Sequence, residues 1–249
     1  MDLILPGSRK TPNPSHTLTM EDGKALKIRA ILATDREGVI GYDNDLIFNN
    51  PADLKNFKSL TMGHTIVMGW KTFQSMHDRI LPGRQSVIMS KSNHRKSREE
   101  YISTLHPPAA TPMPIVISDI NELPAIAATR NDPAVYIIGG ASIYDLFQKC
   151  TMTWIVTKYR INVIKDGVAA GLIPEHFNKR KIVSVSFIKK MGRYSCGMID
   201  HGMFISPNGT NINYVIESYR SFVIPTPVTP NNLLLDEELH INPPGIKRI

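Results

Sequence analysis

Asp53 stands in the run Asn50-Pro51-Ala52-Asp53-Leu54, which reads as a helix start: Asn50 can cap it and Pro51 suits its first position. An acid in a first helical turn ordinarily complements the helix dipole. Asp53, however, lies four residues before Phe57, on the face that carries the helix's apolar stripe of Leu54, Phe57 and Leu60. Its carboxylate is therefore expected to point inward, where it needs a partner.

A second site of possible chemistry is Val135 to Gly140, where a buried strand runs into paired glycines and a helix opens at Ala141-Ser142-Ile143-Tyr144. Bare backbone N–H groups and a positive dipole end suit a phosphate there. A tight strand-to-helix turn explains the same glycines without a ligand. Thr65 to Thr72 repeats the arrangement, with Met68-Gly69-Trp70-Lys71-Thr72 placing an ammonium and a hydroxyl at a helix start. Two such ends on one sheet suit a dinucleotide, although the Gly-x-Gly-x-x-Gly pattern is absent.

The elements that must position these residues are short apolar runs: Ile28 to Ala33, Thr65 to Met68, Ser86 to Met89, Ile115 to Ile117, Ala134 to Ile138, Thr153 to Val156, Ile182 to Ile188 and Ile212 to Ser218. Helical segments are expected from Asn50, from Gly69 to Thr72, over Asp119 to Thr129 despite Pro124, and over Ala141 to Lys149. The result is a single α/β domain: an eight-stranded, mostly parallel sheet with about four flanking helices. The last two strands, around a glycine-containing connection, are expected to form a C-terminal antiparallel hairpin. A flexible leader occupies residues 1–25, the folded domain 26–222, and a Pro-rich extension 223–249, whose Leu233 to Leu235 suggest a protein partner or self-association.

The 249 residues carry a net charge of +7, which suits either nucleic acid or a polyanionic cofactor. The basic run Lys91 to Arg98 lacks interleaved aromatic residues, so it reads as a solvated loop and no nucleic-acid partner is expected. Two cysteines and eight scattered histidines offer no metal-ligand spacing, and no metal is expected. No apolar run reaches the roughly 20 residues of a membrane helix, and no signal sequence is seen, so a cytoplasmic protein is expected.

With these residues in order, the chain resembles a dihydrofolate reductase from about Ile28 to Phe222. The resemblance rests on Ile31-Leu32-Ala33, Gly38-Val39-Ile40-Gly41, Pro51-Ala52-Asp53-Leu54 with Phe57, Met68-Gly69, Lys71-Thr72-Phe73, Leu81-Pro82-Gly83-Arg84, Ile138-Gly139-Gly140 and Thr157. It implies reduction of 7,8-dihydrofolate to tetrahydrofolate by NADPH, in support of thymidylate and one-carbon metabolism. Asp53 would bind the 2-amino group and N3 of the pterin, supported by Thr157. Ile31, Ala33, Phe57, Met76, Leu81 and Ile138 would line the substrate pocket, and Arg84 would hold the α-carboxylate of the glutamate tail.

The resemblance further places NADPH against Ala33, Ile40, Gly69, Lys71, Thr72, Gly139, Gly140, Ala141, Ser142, Ile143 and Tyr144, with Ser90 and Lys91 at its 2′-phosphate. It implies a cis Gly139–Gly140 peptide, a mobile loop over Gly38 to Asn49, and an acidic loop bracing it, of which Asp166 to Pro174 keeps a faint echo. Ile47-Phe48 replaces the family's usual Pro-Trp, whose indole N–H helps hold a water; Phe48 has no donor. Trp70 stands where a basic residue often meets the 2′-phosphate. The alternatives are the fold-related pyrimidine reductase of riboflavin synthesis and a structural protein retaining the fold.

Overall fold

Runs rich in Val and Ile, covered on both faces, form parallel strands here because βαβ crossovers lay helices over the sheet. The computed structural model describes residues 18–20, 22–130, 134–188 and 195–220. In chain order the elements are β1 (Lys27–Thr34), β2 (Val39–Tyr42), β3 (Asp45–Leu46), α1 (Pro51–Thr61), β4 (Thr65–Gly69), α2 (Trp70–Ser75), β5 (Gln85–Met89) and α3 (Ser92–Ser103). They continue with β6 (Ile115–Ile117), α4 (Leu123–Thr129), β7 (Ala134–Gly139), α5 (Ala141–Phe147), β8 (Thr153–Tyr159), α6 (Val163–Asp166), β9 (Ile182–Ser184), β10 (Ser195–Ile205) and β11 (Asn211–Arg220).

The main sheet has eight strands in the order β10-β11-β8-β1-β7-β4-β5-β6, and β3-β2-β9 form a small second sheet. β8 through β6 are parallel, while β11 runs antiparallel to β8 and β10 to β11. Two buried clusters, one on each face, fill the space between sheet and helices. Ile28, Ala30, Leu32, Val135, Ile137 and Val156 point to one; Ile31, Ile66, Met68, Tyr136, Ile155 and Tyr159 point to the other. This alternation is the period of two that a pleated strand imposes.

Several expectations change. The hairpin partner of β11 is β10 and not Ile182 to Ile188: β9 instead pairs with β2, and Val185, Phe187 and Ile188 turn inward to the core. The glycines of β10 were read as loop signals, but Gly202 lies opposite Tyr214, where any Cβ would sit 2.6 Å from the tyrosine oxygen. Lys91 to Arg98 is not a solvated loop; it belongs largely to α3, whose Arg95 pairs with Glu99 one turn on (2.8 Å) and with Glu122 (2.9 Å). Only Ile102 of α3 is buried, so its apolar periodicity is too weak to read. Leu54 does not join the buried stripe of α1 but is exposed, whereas Phe57 and Leu60 pack against the core.

Leu18 is 2% exposed within the core and Thr19 bridges Ala25, so Leu18 packs with the domain that was expected to start after residue 25. The first 17 residues, and the extension from 223 with its proposed partner role, lie outside the described residues. Among the described residues, no helix is long and apolar enough to cross a membrane. Nor does any group of three or more His, Cys, Asp or Glu gather as a metal site among them.

The segment Gly38 to Asn49 contains the β2–β3 hairpin, turned by Asp43 (φ 48°) and Asn44 (φ 65°), the backbone of a two-residue type I′ turn. β9 pairs with β2, and an exposed Lys181–Asp43 ion pair (2.6 Å) reaches the turn of this hairpin. Asp35, at the root of the segment, accepts hydrogen bonds from the backbone of Glu37, Val39 and Val163.

Candidate active site

Asn50 caps α1, its side-chain oxygen accepting from the Ala52 N–H (3.1 Å), and Pro51 opens the first turn as its fixed φ favours. This sets Asp53 in that turn with its carboxylate facing β8. Thr157 on β8 donates to it at 2.6 Å across 104 residues of sequence. Burial raises the Asp53 pKa above its ordinary value, and the Thr157 hydrogen bond only partly opposes that. An inward carboxylate with one partner keeps acceptor capacity for donors on a bound molecule.

One turn further, the Phe57 ring lies under the Arg84 guanidinium, 5.9 Å from its centroid. Arg84 is 4% exposed, donates to the Pro82 carbonyl (3.1 Å) and the Thr61 hydroxyl (3.2 Å), and has no carboxylate partner among the described residues. Burial lowers its pKa. A buried guanidinium held by neutral oxygens retains donors and an unneutralised charge for an incoming carboxylate. Ile31 joins the same buried cluster, and Ala33, Met76, Leu81 and Ile138 pack against it half-buried.

The other half of the expected site lies where β4, β5 and β7 end. The Gly139–Gly140 peptide is cis, as the resemblance implied. Gly140 begins α5, whose Ile143 and Tyr144 amides return to its carbonyl, leaving the Ala141 and Ser142 amides without an intrahelical acceptor. A Cβ on Gly140 would meet the Thr72 hydroxyl at 3.2 Å, so the starts of α2 and α5 adjoin. Gly69, at the end of β4, packs on Ile143, and the Tyr144 hydroxyl donates to the Ile31 carbonyl (2.8 Å), joining α5 to β1. Ile40 packs with the cluster that holds Ile143 and Tyr144, and Lys71 and Lys91 are exposed.

Sequence reasoning missed three side chains here. Arg98 reaches from α3 to the buried Ser90 hydroxyl (2.7 Å) with its guanidinium 4.9 Å from the centre of the Trp70 ring. It brings a cation to the position where Trp70 itself has none, and among the described residues no carboxylate pairs with it. Only recognition of α3 as a helix could have found it. Tyr159 lies two residues beyond Thr157, hence on the same face of β8, and Phe48 stacks on it with centroids 3.9 Å apart and planes 10° apart. Asn50 is more than a cap: its side-chain amide nitrogen and the Tyr159 hydroxyl are both buried and adjoin each other.

Comparisons with known proteins agree with this arrangement. A family model described as dihydrofolate reductase matches residues 27–186. A dihydrofolate reductase of Lactococcus lactis is 32% identical over 170 residues, covering 68% of this chain and 91% of the relative. The type 9 dihydrofolate reductase of Escherichia coli is 29% identical over 142 residues, covering 56% and 73%. In fold, the chain is similar to an Enterococcus faecalis dihydrofolate reductase solved with NADP(H) and RAB-propyl (TM-score 0.51, 20% identity, covering 78% of this chain and 96% of that one). The acid on α1, the threonine on β8 that holds it, and a matched span running from β1 through β9 lead to one conclusion: the chain belongs to the dihydrofolate reductase family.

Proposed function

We propose that this protein reduces 7,8-dihydrofolate to 5,6,7,8-tetrahydrofolate with NADPH as the reductant, a single domain carrying both binding sites. The observation that carries the reading is the Asp53–Thr157 pair, a half-buried carboxylate with spare acceptors beside half-buried apolar side chains. The pterin's 2-amino group and N3–H supply the donors that such a carboxylate lacks. Phe57, Ile31, Ala33, Met76, Leu81 and Ile138 cover the ring, and Arg84 takes the α-carboxylate of the tail. The direct test is oxidation of NADPH by the purified protein with dihydrofolate present and absent. Turnover only with dihydrofolate is expected; its absence removes the proposal.

The residues present fit the cofactor. The Ala141 and Ser142 amides, without intrahelical acceptors, lie at the start of α5 beside that of α2, and the exposed Lys71 adds a cation there. When bound, NADPH supplies the hydride that C6 of the substrate receives. Ser90, Lys91 and Arg98 offer a hydroxyl and two cations to a 2′-phosphate, so Arg98 restores the basic group missing at Trp70. We predict that Arg98→Leu weakens 2′,5′-ADP binding by about 10-fold or more while 5′-AMP binding changes little. Equal losses for the two, by calorimetry on the apoprotein, would count against the assignment.

Arg84 gives a parallel prediction on the substrate side. Arg84→Leu is expected to weaken dihydrofolate binding by about 10- to 100-fold, as charge-assisted hydrogen bonds of roughly 1.5–3 kcal/mol are lost. Binding of a dihydropterin lacking the glutamate should change far less. Fluorescence titrations showing similar losses for both ligands would remove Arg84 from the tail site. The riboflavin-pathway alternative is not favoured, because the family match and the Asp53 helix both point to the folate enzyme.

A further inference from the structure

β10 is the outermost strand of the main sheet: β11 pairs with one side of it, and among the described residues no strand pairs with the other. A free row of N–H and C=O groups is a template for another chain, so natural sheets blunt such edges with Lys, Pro or very short strands. β10 has none of these. It is 11 residues long, about 37 Å by the rise of a strand, and from Ser195 to Ile205 it contains no Lys and no Pro. Its one ionised group is Asp200, beside a bulge that follows Met198.

One face of this edge is apolar. Gly202 and Asp200 lie opposite Tyr214 and Ile216, which belong to the buried cluster that holds Tyr159. His201 and Met203, opposite Val215 and Asn213, therefore look away from that cluster, as does Ile205 opposite Asn211. Period two brings Ile199 to the same side, and the bulge adds Met198, opposite Glu217. Met198 is 68% exposed, Ile199 47%, Met203 55% and Ile205 62%. Single exposed apolar residues are ordinary, whereas a row of four on an unpaired edge marks an interaction surface.

We propose that β10 pairs with β10 of a second copy of this chain, antiparallel about a two-fold axis through Gly202, so that the two eight-stranded sheets join edge to edge. The register is set by self-complementarity. It places Ile205 opposite Ile199 of the second copy and Met203 opposite His201, each pair occurring twice, and it keeps the two Asp200 carboxylates apart. An axis through Asp200 would set those carboxylates against each other, and one through His201 would oppose two histidines. Eight apolar side chains and two backbone edges supply several hundred Å², approaching the roughly 1,000 Å² at the low end of specific interfaces. The extension suits the edge less well. Pro225, Pro227, Pro230, Pro243 and Pro244 have no N–H for a ladder, and the stretch between them brings Asp236, Glu237 and Glu238 toward a hairpin already carrying Asp200 and Glu217.

Sedimentation velocity on the full chain from about 1 to 100 μM tests the pairing. We expect a concentration-dependent rise from the mass of one chain to that of two. Met203→Lys and Ile205→Lys, each putting a charge on the exposed edge, should weaken association by about 10-fold or more with the melting temperature unchanged. Asn213→Lys places the same charge on the same face one strand further in, and it should associate as the parent does. In the Ile199→Cys/Ile205→Cys protein, mild oxidation should give a covalent dimer whose peptides link position 199 of one chain to position 205 of the other.

A single-chain mass across the whole range would overturn the proposal, as would a dimer that both edge lysines leave intact. Loss of the dimer in Asn213→Lys would mean that the β10 faces stack and the edges do not pair, which overturns it too. A parent that stays monomeric but dimerises once residues 221–249 are removed would assign the edge to the extension, again against the proposal. None of these readouts depends on the folate chemistry.

Discussion

Asp53→Asn is expected to lower kcat/KM for dihydrofolate by about 100-fold or more at neutral pH while leaving NADPH affinity within a few-fold. The substitution is nearly isosteric, and its remaining oxygen can still accept from Thr157. Its other terminus changes from acceptor to donor, and the pterin presents its own donors to that terminus. Two charge-assisted hydrogen bonds are replaced by at best one neutral contact, a loss of about 3 kcal/mol, and each 1.4 kcal/mol is a factor of ten. The groups proposed to hold the cofactor, Ser90 and Arg98 among them, stand on other elements. Steady-state kinetics and a fluorescence titration with NADPH check both halves, and equal turnover in variant and parent would sink the mechanism.

The same variant should be the more stable protein at neutral pH. Burial raises the folded-state pKa of Asp53 above the unfolded value of about 3.9. As pH rises past that value the unfolded chain releases the proton first, so the folded state is progressively penalised until pH exceeds the folded pKa. Asparagine carries no such penalty. Thermal unfolding of Asp53→Asn is therefore expected to occur at higher temperature than in the parent at pH 7.5, with the two converging as pH falls below about 4. A parent at least as stable as the variant at pH 7.5 would contradict a carboxylate held against its solvation for function.

What could be read in the sequence follows which forces act locally. Asn50, Pro51 and Asp53 carry their own backbone preferences, so the start of α1 was legible and, with Phe57, so was the inward acid. Strands buried on both faces, such as Val135 to Ile138, announce themselves as apolar runs. Elements held by cross-chain contacts do not. α3 has one buried residue and is secured by the reach of Arg95 to Glu122, so no periodicity marks it, and Arg98 went unseen with it. β10 carries Gly202 because Tyr214 lies across the ladder, a fact of register rather than of local sequence. Tyr159 follows Thr157 at strand spacing, but its buried hydroxyl gains meaning only beside Asn50 and Phe48, each more than a hundred residues earlier.

Gly139→Ala should show how strongly the two halves of the site depend on one contact. Gly139 has φ +113°, where an L side chain costs about 1–2 kcal/mol, and its new Cβ would lie 3.1 Å from the Tyr144 ring and hydroxyl. Tyr144 is buried and its hydroxyl donates to the Ile31 carbonyl, so displacing it leaves a buried donor or acceptor unsatisfied for about 1–3 kcal/mol more. The sum, about 2–5 kcal/mol, predicts a melting temperature lower by roughly 5–15 °C in a protein of this size. Tyr144→Phe alone removes only the hydroxyl and should cost less. Because the methyl and the hydroxyl compete for the same space, Gly139→Ala should cost less in the Tyr144→Phe background than in the parent. Strict additivity in that double-mutant cycle would mean that the backbone conformation, and not the Tyr144 contact joining α5 to β1, carries the whole effect.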